Sequence, residues 1–111
     1  MIHSKKENNV TTISFNGMES LDAQNAVTIK DELKGLINEK SAQVVLNLKG
    51  VNFIDSSGFG AIISALKNAK RAGGNMKICN VSENAQELFR LMSLDNVFEF
   101  FGTEEKCQAS Y

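Results

Sequence analysis

The chain has 111 residues, enough for one hydrophobic core and too few for two. Its 12 Lys and Arg nearly balance 13 Asp and Glu, a formal net charge of -1, so no basic field points to nucleic acid and no acidic tail to disorder. No apolar run approaches the ~18 residues of a membrane span, and the polar start M-I-H-S-K-K-E-N-N lacks a signal-peptide core, so a cytoplasmic protein without direct membrane insertion is expected.

Taken in order, Ile2 to Glu7 reads as a short edge strand and Asn8-Asn9 as its turn. Val10 to Phe15 alternates between two sets of side chains, which predicts the second strand of an antiparallel hairpin. Asn16-Gly17 breaks it. Ala26, Ile29, Leu33, Leu36 and Ile37 then recur at steps of three or four, with Lys30, Asp31, Glu32 and Lys34 between them. This is an amphipathic helix from about Ala23 to Asn38. Asp22 is its best N-cap, and the same loop stands to lie near the central junction described next. Glu39 to Gln43 reads as a polar linker.

The centre of the chain is V-V-L-N-L followed by V-N-F-I-D-S-S-G-F-G, residues Val44 to Leu48 and Val51 to Gly60. The nearly unbroken apolar run of the first predicts a central strand covered on both faces. Val51 to Ile54 carries apolar side chains back to the core. The period then becomes helical, and a helix is expected from about Ser57 to Ala72, with Ile62, Leu66 and Ala69 facing the sheet and Ile63 beside them. Asp55-Ser56-Ser57-Gly58 therefore marks the hand-over from strand to helix. Capping explains part of it, because a helix's first amides lack internal partners and Asp or Ser oxygens accept from them. One cap needs one oxygen, and three polar side chains stand here in a row. An exposed Phe59 beside two hydroxyls would make a protein-binding patch.

Ala72-Gly73-Gly74-Asn75 is a helix stop, Met76 to Val81 a strand, and the three elements form a right-handed βαβ unit. Ser82 caps a third helix, Glu83 to Met92, with Ala85, Leu88, Phe89 and Met92 inward. Val97 to Phe101 is a last short strand, whose final phenylalanines either pack down or form a second apolar patch. A polar tail, about 103–111, follows, with a brief helix around Glu104 as one option. The sum is a single domain, 1–111, of mixed α/β class.

Motifs for intrinsic chemistry are absent. There is no G-x-x-x-x-G-K-[ST] or G-x-G-x-x-G, and D-S-S-G lacks the glycine that precedes a nucleophile elbow. Cys79 and Cys107 with the lone His3 make neither a disulfide scaffold nor a zinc site. Cys79 reads as a buried small hydrophobe and Cys107 as exposed. Neither a cofactor nor a metal is expected, and the chain does not read as an enzyme.

The stretches N-G-M-E-S-L-D-A-Q-N-A, V-V-L-N-L-K-G-V-N-F-I-D-S-S-G-F-G, A-L-K-N-A-K-R-A-G-G-N-M-K-I-C-N-V and L-F-R-L-M-S-L-D-N-V-F together resemble the STAS domain, and within it the bacterial anti-sigma factor antagonists. The resemblance covers nearly the whole chain. It implies a small mixed sheet of four to five strands with helices packed mainly on one face. It also implies a phosphorylation switch. The unphosphorylated protein binds an anti-sigma factor that is a serine kinase of the GHKL type, and a sigma factor is released. ATP belongs to that kinase, and a PPM-type phosphatase removes the phosphate.

By the same match Ser56, the serine after the motif aspartate, is the acceptor. Asp55 orients or caps around it, Ser57 contacts the interface or caps the helix, Gly58 allows close approach, and Asp22 lies beside the site. Phe59 and Met92 are expected at the partner interface. A monomer is expected, since the charges are dispersed. The alternative is a STAS scaffolding or accessory subunit of a transport ATPase or stress-signalling complex, without a phosphoswitch.

Overall fold

The computed structural model describes residues 2–37, 40 and 42–111. The expected helix end at Asn38 and the linker residues Glu39 and Ser41 lie outside the described residues. The elements are β1 (Ile2–Glu7), β2 (Val10–Phe15), β3 (Ser20–Leu21), α1 (Ala26–Leu36), β4 (Gln43–Asn47), β5 (Phe53–Ile54), α2 (Ser56–Arg71), β6 (Asn75–Cys79), α3 (Glu83–Leu91), β7 (Phe100–Phe101) and α4 (Glu104–Ala109).

Five strands form one sheet in the order β1-β2-β4-β6-β7, antiparallel between β1 and β2 and parallel elsewhere. Asn8 and Asn9 both take left-handed backbone, φ 51° and 65°, as a two-residue hairpin turn matched to strand twist requires. Parallel pairing runs over five residues between β2 and β4 and again between β4 and β6. Ile13, Phe15, Val44, Leu46, Met76 and Ile78 point to one face, where α1, α2 and α3 supply Ile29, Leu33, Ile62 and Phe89 to a single core.

Helix α2 is the central piece of that layer. Phe59, Ile62, Leu66 and Ala69 are buried along it and Ile63 is half-buried, as the 3.6-residue period demands. Each large side chain contributes about 1.5–3 kcal/mol by leaving water. The helix ends where Gly73 turns left-handed, φ 87°, and the amides of Gly73 and Gly74 return to the carbonyls of Lys70 and Ala69. At Gly74 the backbone of Ala42 comes so close that a Cβ would lie 1.6 Å from its carbonyl oxygen. Only glycine lets the turn dock there.

The other face of the sheet decides one expectation, the brief helix around Glu104, and overturns another. The stretch read as a polar tail contains a helix, α4, capped by Thr103, whose hydroxyl accepts from the Lys106 amide at 3.1 Å. Cys107, expected to be exposed, is fully buried with Val10, Val45 and Cys79, and Tyr111 packs against them. Polar side chains fasten this helix: Gln108 to Thr12 at 2.9 Å and Asn47 to Glu104 at 3.0 Å. The sheet is thus covered mainly on one face by three helices, with a short helix on the other. That is why Val44 to Leu48 reads as almost continuously apolar: its residues are all buried.

Two boundaries moved for local reasons. The last strand is only Phe100–Phe101. Phe100 packs down on Phe89, centroids 5.1 Å apart, while Phe101 turns to the α4 side. Helix α1 starts three residues later than expected, because the loop before it is held in another shape. No helix among the described residues is long and apolar enough to cross a membrane.

Candidate functional site

The loop before α1 runs from β3, and β3 pairs in parallel with β5, Ser20 opposite Phe53 and Leu21 opposite Ile54. This two-strand ribbon carries both halves of the site. Asp55 leaves β5 in extended conformation, φ -96° and ψ -176°, and stands at the N-cap of α2. Its Oδ1 accepts from the Gly58 amide at 2.9 Å, and its Oδ2 accepts from the Ala23 amide at 3.2 Å. One carboxylate therefore caps the helix and ties down the neighbouring loop. Capping of this kind stabilises a helix by about 1 kcal/mol.

Ser56 is the first residue of α2 and Ser57 the second, both exposed. With Asp55 occupied as the cap, neither hydroxyl makes a hydrogen bond among the described residues. The first-turn amides of the two serines have no intrahelical partner, and the helix dipole is positive here. Gly58 is buried against the ribbon, where a Cβ would lie 2.3 Å from the Leu21 carbonyl oxygen. Close approach, expected for this glycine, is what sets the distance between loop and helix.

Asp22 does not cap α1. Its Oδ1 accepts from the Gln24 amide at 3.0 Å and its Oδ2 from the Ser20 hydroxyl at 3.0 Å. Asn25, which occupies the N-cap position, turns back instead, accepting from the Asp22 amide at 3.0 Å and donating to the Ser20 carbonyl at 2.9 Å. These local bonds compete with the helix and hold the loop as a turn. Through Ala23 the loop is bonded to Asp55, so Asp22 and the Ser56 junction share one surface region. Among the described residues neither carboxylate joins an ion pair, which leaves the region negative.

Phe59 corrects an expectation. It is 1% exposed, set edge-on against Phe89 with ring centroids 4.9 Å apart, and presents nothing to a partner. Its spacing to Ile62, Leu66 and Ala69 already puts it on the buried stripe. The exposed aromatic of the junction is Phe53, at 47%, which strand alternation turns outward while Ile54 turns in. Met92 is 46% exposed, at the C-cap of α3, one turn beyond the Phe89 that meets Phe59. It was expected to face inward and also to serve an interface, and its exposure allows only the second. An open cleft of about 500 Å³ lies elsewhere, between the ends of β2 and β4 near Lys49 and Glu104, and includes no residue of the junction. The candidate site is a surface, suited to a macromolecule.

A family model of the STAS domain matches residues 2–107. The anti-sigma-B factor antagonist of Bacillus subtilis (strain 168) is 29% identical over 97 residues, 87% of this chain and 88% of that protein. An anti-sigma-factor antagonist (STAS) domain protein from Planctomyces limnophilus superposes with a TM-score of 0.86 at 22% identity, covering 98% of this chain and 96% of its own. The anti-sigma factor antagonist SpoIIAA in its unphosphorylated form gives 0.79 at 19% identity, covering 99% of this chain and 95% of its own. The phosphorylated form of SpoIIAA, a Bacillus cell fate determinant, gives 0.70 at 17% identity over 100% of both chains. At such identities the structural likeness shows the fold, and the match over residues 2–107 places the chain in the STAS domain family.

Proposed function

We propose that this protein is an anti-sigma factor antagonist of the cytoplasm, active when Ser56 is unmodified and switched off by phosphorylation there. The observation that carries this reading is the exposed, uncommitted Ser56 hydroxyl at the first position of α2, next to a capping carboxylate whose two oxygens are both engaged. The relatives named as anti-sigma factor antagonists, and a phosphorylated form of one structural neighbour, support it.

The partner is an anti-sigma factor that is a GHKL-type serine kinase. Its own ATP supplies the γ-phosphoryl group to Ser56 Oγ, and the kinase takes the hydroxyl proton. A PPM-type phosphatase reverses the step. The antagonist itself contributes position and no catalysis. Phe53 and Met92 border the docking surface, which Asp22, Asp55 and Ser57 shape.

A phosphate adds about -1.5 to -2 charges at neutral pH. In the free protein it meets helix amides, worth about 0.3–1 kcal/mol, so the fold tolerates it. In a tight interface it would be desolvated beside Asp22 and Asp55, and a loss of a few kcal/mol is roughly a hundredfold or more in affinity. Charge alone thus changes partners without refolding the domain.

The test is to purify the tagged protein from its native cells, map phosphosites by mass spectrometry and identify what co-purifies. Phosphate on Ser56 together with a soluble GHKL-type kinase is expected. An unmodified Ser56 across growth phases and stresses, with a transport ATPase bound instead, would overturn the switch.

A further inference from the structure

The face of the sheet opposite α1, α2 and α3 has its own small core, Val10, Val45, Cys79 and Cys107, and none of these side chains belongs to the main core. Its cover is the last stretch of the chain, α4 and the residues that flank it. A helix of six residues does not hold its shape alone in water. Of its side chains only Cys107 is fully buried, so apolar burial fastens it weakly. The other fastenings are polar and spread along its length. Glu104 accepts from Asn47, and Gln108 donates to the Thr12 hydroxyl. The Ser110 carbonyl and hydroxyl accept from the Lys77 ammonium at 3.0 Å, and the Tyr111 hydroxyl accepts from the Val44 amide at 3.2 Å. Water can replace each of these bonds when the helix lifts, so each adds little net hold. Gly102 joins the stretch to β7, and a Cβ there would meet nothing within 4 Å, which leaves the joint room to turn. The sheet has a separate support: β2, β4 and β6 pair with one another and are packed on the other face by α1, α2 and α3.

We propose that residues 103–111 form a detachable strap, which lifts from the sheet as one unit about Gly102 while the strands and α1, α2 and α3 stay folded. Lifting uncovers Val10, Val45 and Cys79 on strands that do not move, together with Lys77, which is 8% exposed with the strap in place. Such a segment belongs to the low-stability end of a fold, with few buried apolar contacts and many bonds that water can take over. Fraying of the last residues is a different event. It would free Ser110 and Tyr111 and leave Cys79 packed beneath α4. The strap includes no residue of the Ser56 junction, and it does not rest on the phosphorylation reading.

The experiment uses the Cys79 thiol of the folded full chain as a reporter. Iodoacetamide labels it without denaturant, and peptide masses give the rate. Only singly labelled chains are counted, since a first adduct could hold the strap open. Hydrogen exchange under the same conditions follows two amides. That of Cys107 is bonded to the Thr103 carbonyl within the strap, and that of Ile78, next to Cys79 on β6, to the Glu99 carbonyl. Cys79 is expected to react through the same opening that exchanges the Cys107 amide, at least roughly tenfold more often than the Ile78 amide opens. Low urea should barely change that rate, because lifting exposes little surface. Cys79 labelling only as often as Ile78 exchanges would overturn the strap, whether the Cys107 amide is slow, as in global unfolding, or fast, as in fraying. Ile62→Val thins the main core, so it should lower the midpoint of global unfolding and leave Cys79 labelling unchanged. Tyr111→Phe removes the hydroxyl bonds and should speed labelling about two- to tenfold. Faster labelling in Ile62→Val in step with its lost stability, or no acceleration in Tyr111→Phe, would overturn the proposal. The comparison of Cys79 with Ile78 in the unmutated chain decides the matter even if a variant folds poorly.

Discussion

Asp55 Oδ2 accepts a hydrogen bond from the amide of Ala23, 32 residues earlier in the chain, at 3.2 Å. The same carboxylate caps α2 through Gly58. One side chain thus fixes both the helix start that presents Ser56 and the loop that carries Asp22. Asp55→Ala removes both acceptors and should destabilise the fold by about 1–2 kcal/mol, the range of a lost N-cap. Asp55→Asn keeps one acceptor oxygen and should lose less. Denaturant titration gives the stabilities. Hydrogen exchange should speed at both Ala23 and Gly58 in the alanine variant. Faster exchange at Gly58 alone would show that Asp55 does not hold the loop.

Gly58 and Gly60 lie two residues apart in α2 and should respond oppositely to alanine. A Cβ at Gly58 would lie 2.3 Å from the Leu21 carbonyl oxygen, and backbone cannot yield as a flexible side chain does. At Gly60 a Cβ meets nothing within 4 Å. Alanine is favoured over glycine in a helix by about 0.8–1 kcal/mol. Gly60→Ala should therefore stabilise by roughly that amount. At Gly58 the clash should outweigh propensity, for a net loss of about 1–3 kcal/mol as in overpacked cores. Thermal melts of the two variants decide it, and equal shifts would mean that β3 moves aside freely.

The order of elements was legible because each long one carries its own period and punctuation. The stripe Ile62, Leu66, Ala69, the serine before α3 and the paired glycines after α2 all act locally. What was misread depends on phase or on distant partners. Phe59 continues the α2 stripe at a step of three, yet its place beside the serines suggested an exposed patch. Phe53 belongs to a strand of two residues, too short for alternation to declare which side faces in. Asp22 has the composition of a cap, but Asn25 and Ser20 offer its loop other hydrogen bonds. In α4 the one buried apolar side chain is Cys107, and Tyr111, half-buried, follows four residues later, past the helix end. Their burial needs a sheet face that no local pattern reveals.

Tyr111 makes a pH prediction. Its hydroxyl accepts from the Val44 amide at 3.2 Å and donates to the Val44 carbonyl at 2.5 Å, and burial raises it above its ordinary value of 10.0. A group raised in the folded state binds its proton more tightly there than in the unfolded chain. Its stabilisation is complete below the unfolded value and is lost as pH rises past it. Stability should therefore fall above pH 10.0, the ordinary tyrosine value. Tyr111→Phe should cost about 1 kcal/mol at neutral pH from its lost hydrogen bonds, yet show a shallower alkaline decline. The decline should not vanish, since Cys79, packed in one cluster with Cys107 and fully buried, is also held protonated. Melting curves across that range test the sign. An unchanged slope in the variant would show that Tyr111 titrates as if unfolded.

Ser56 separates stability from recognition. The helix amides and dipole favour a phosphate at the first position of α2, while Asp22 and Asp55 oppose it. These exposed effects are each about 1 kcal/mol or less and of opposite sign, so phosphorylation should leave the melting temperature nearly unchanged. Binding to the partner kinase should weaken by roughly a hundredfold, because there the charge loses water as well. Ser56→Ala should bind like the unmodified protein and accept no phosphate. Calorimetric titration of the three forms against the kinase identified by co-purification provides the measurement. Stoichiometric phosphorylation of Ser56→Ala would move the acceptor elsewhere, with Ser57 the next residue to change. A phosphorylated form that binds as tightly as the unmodified one would leave the fold intact and remove the switch.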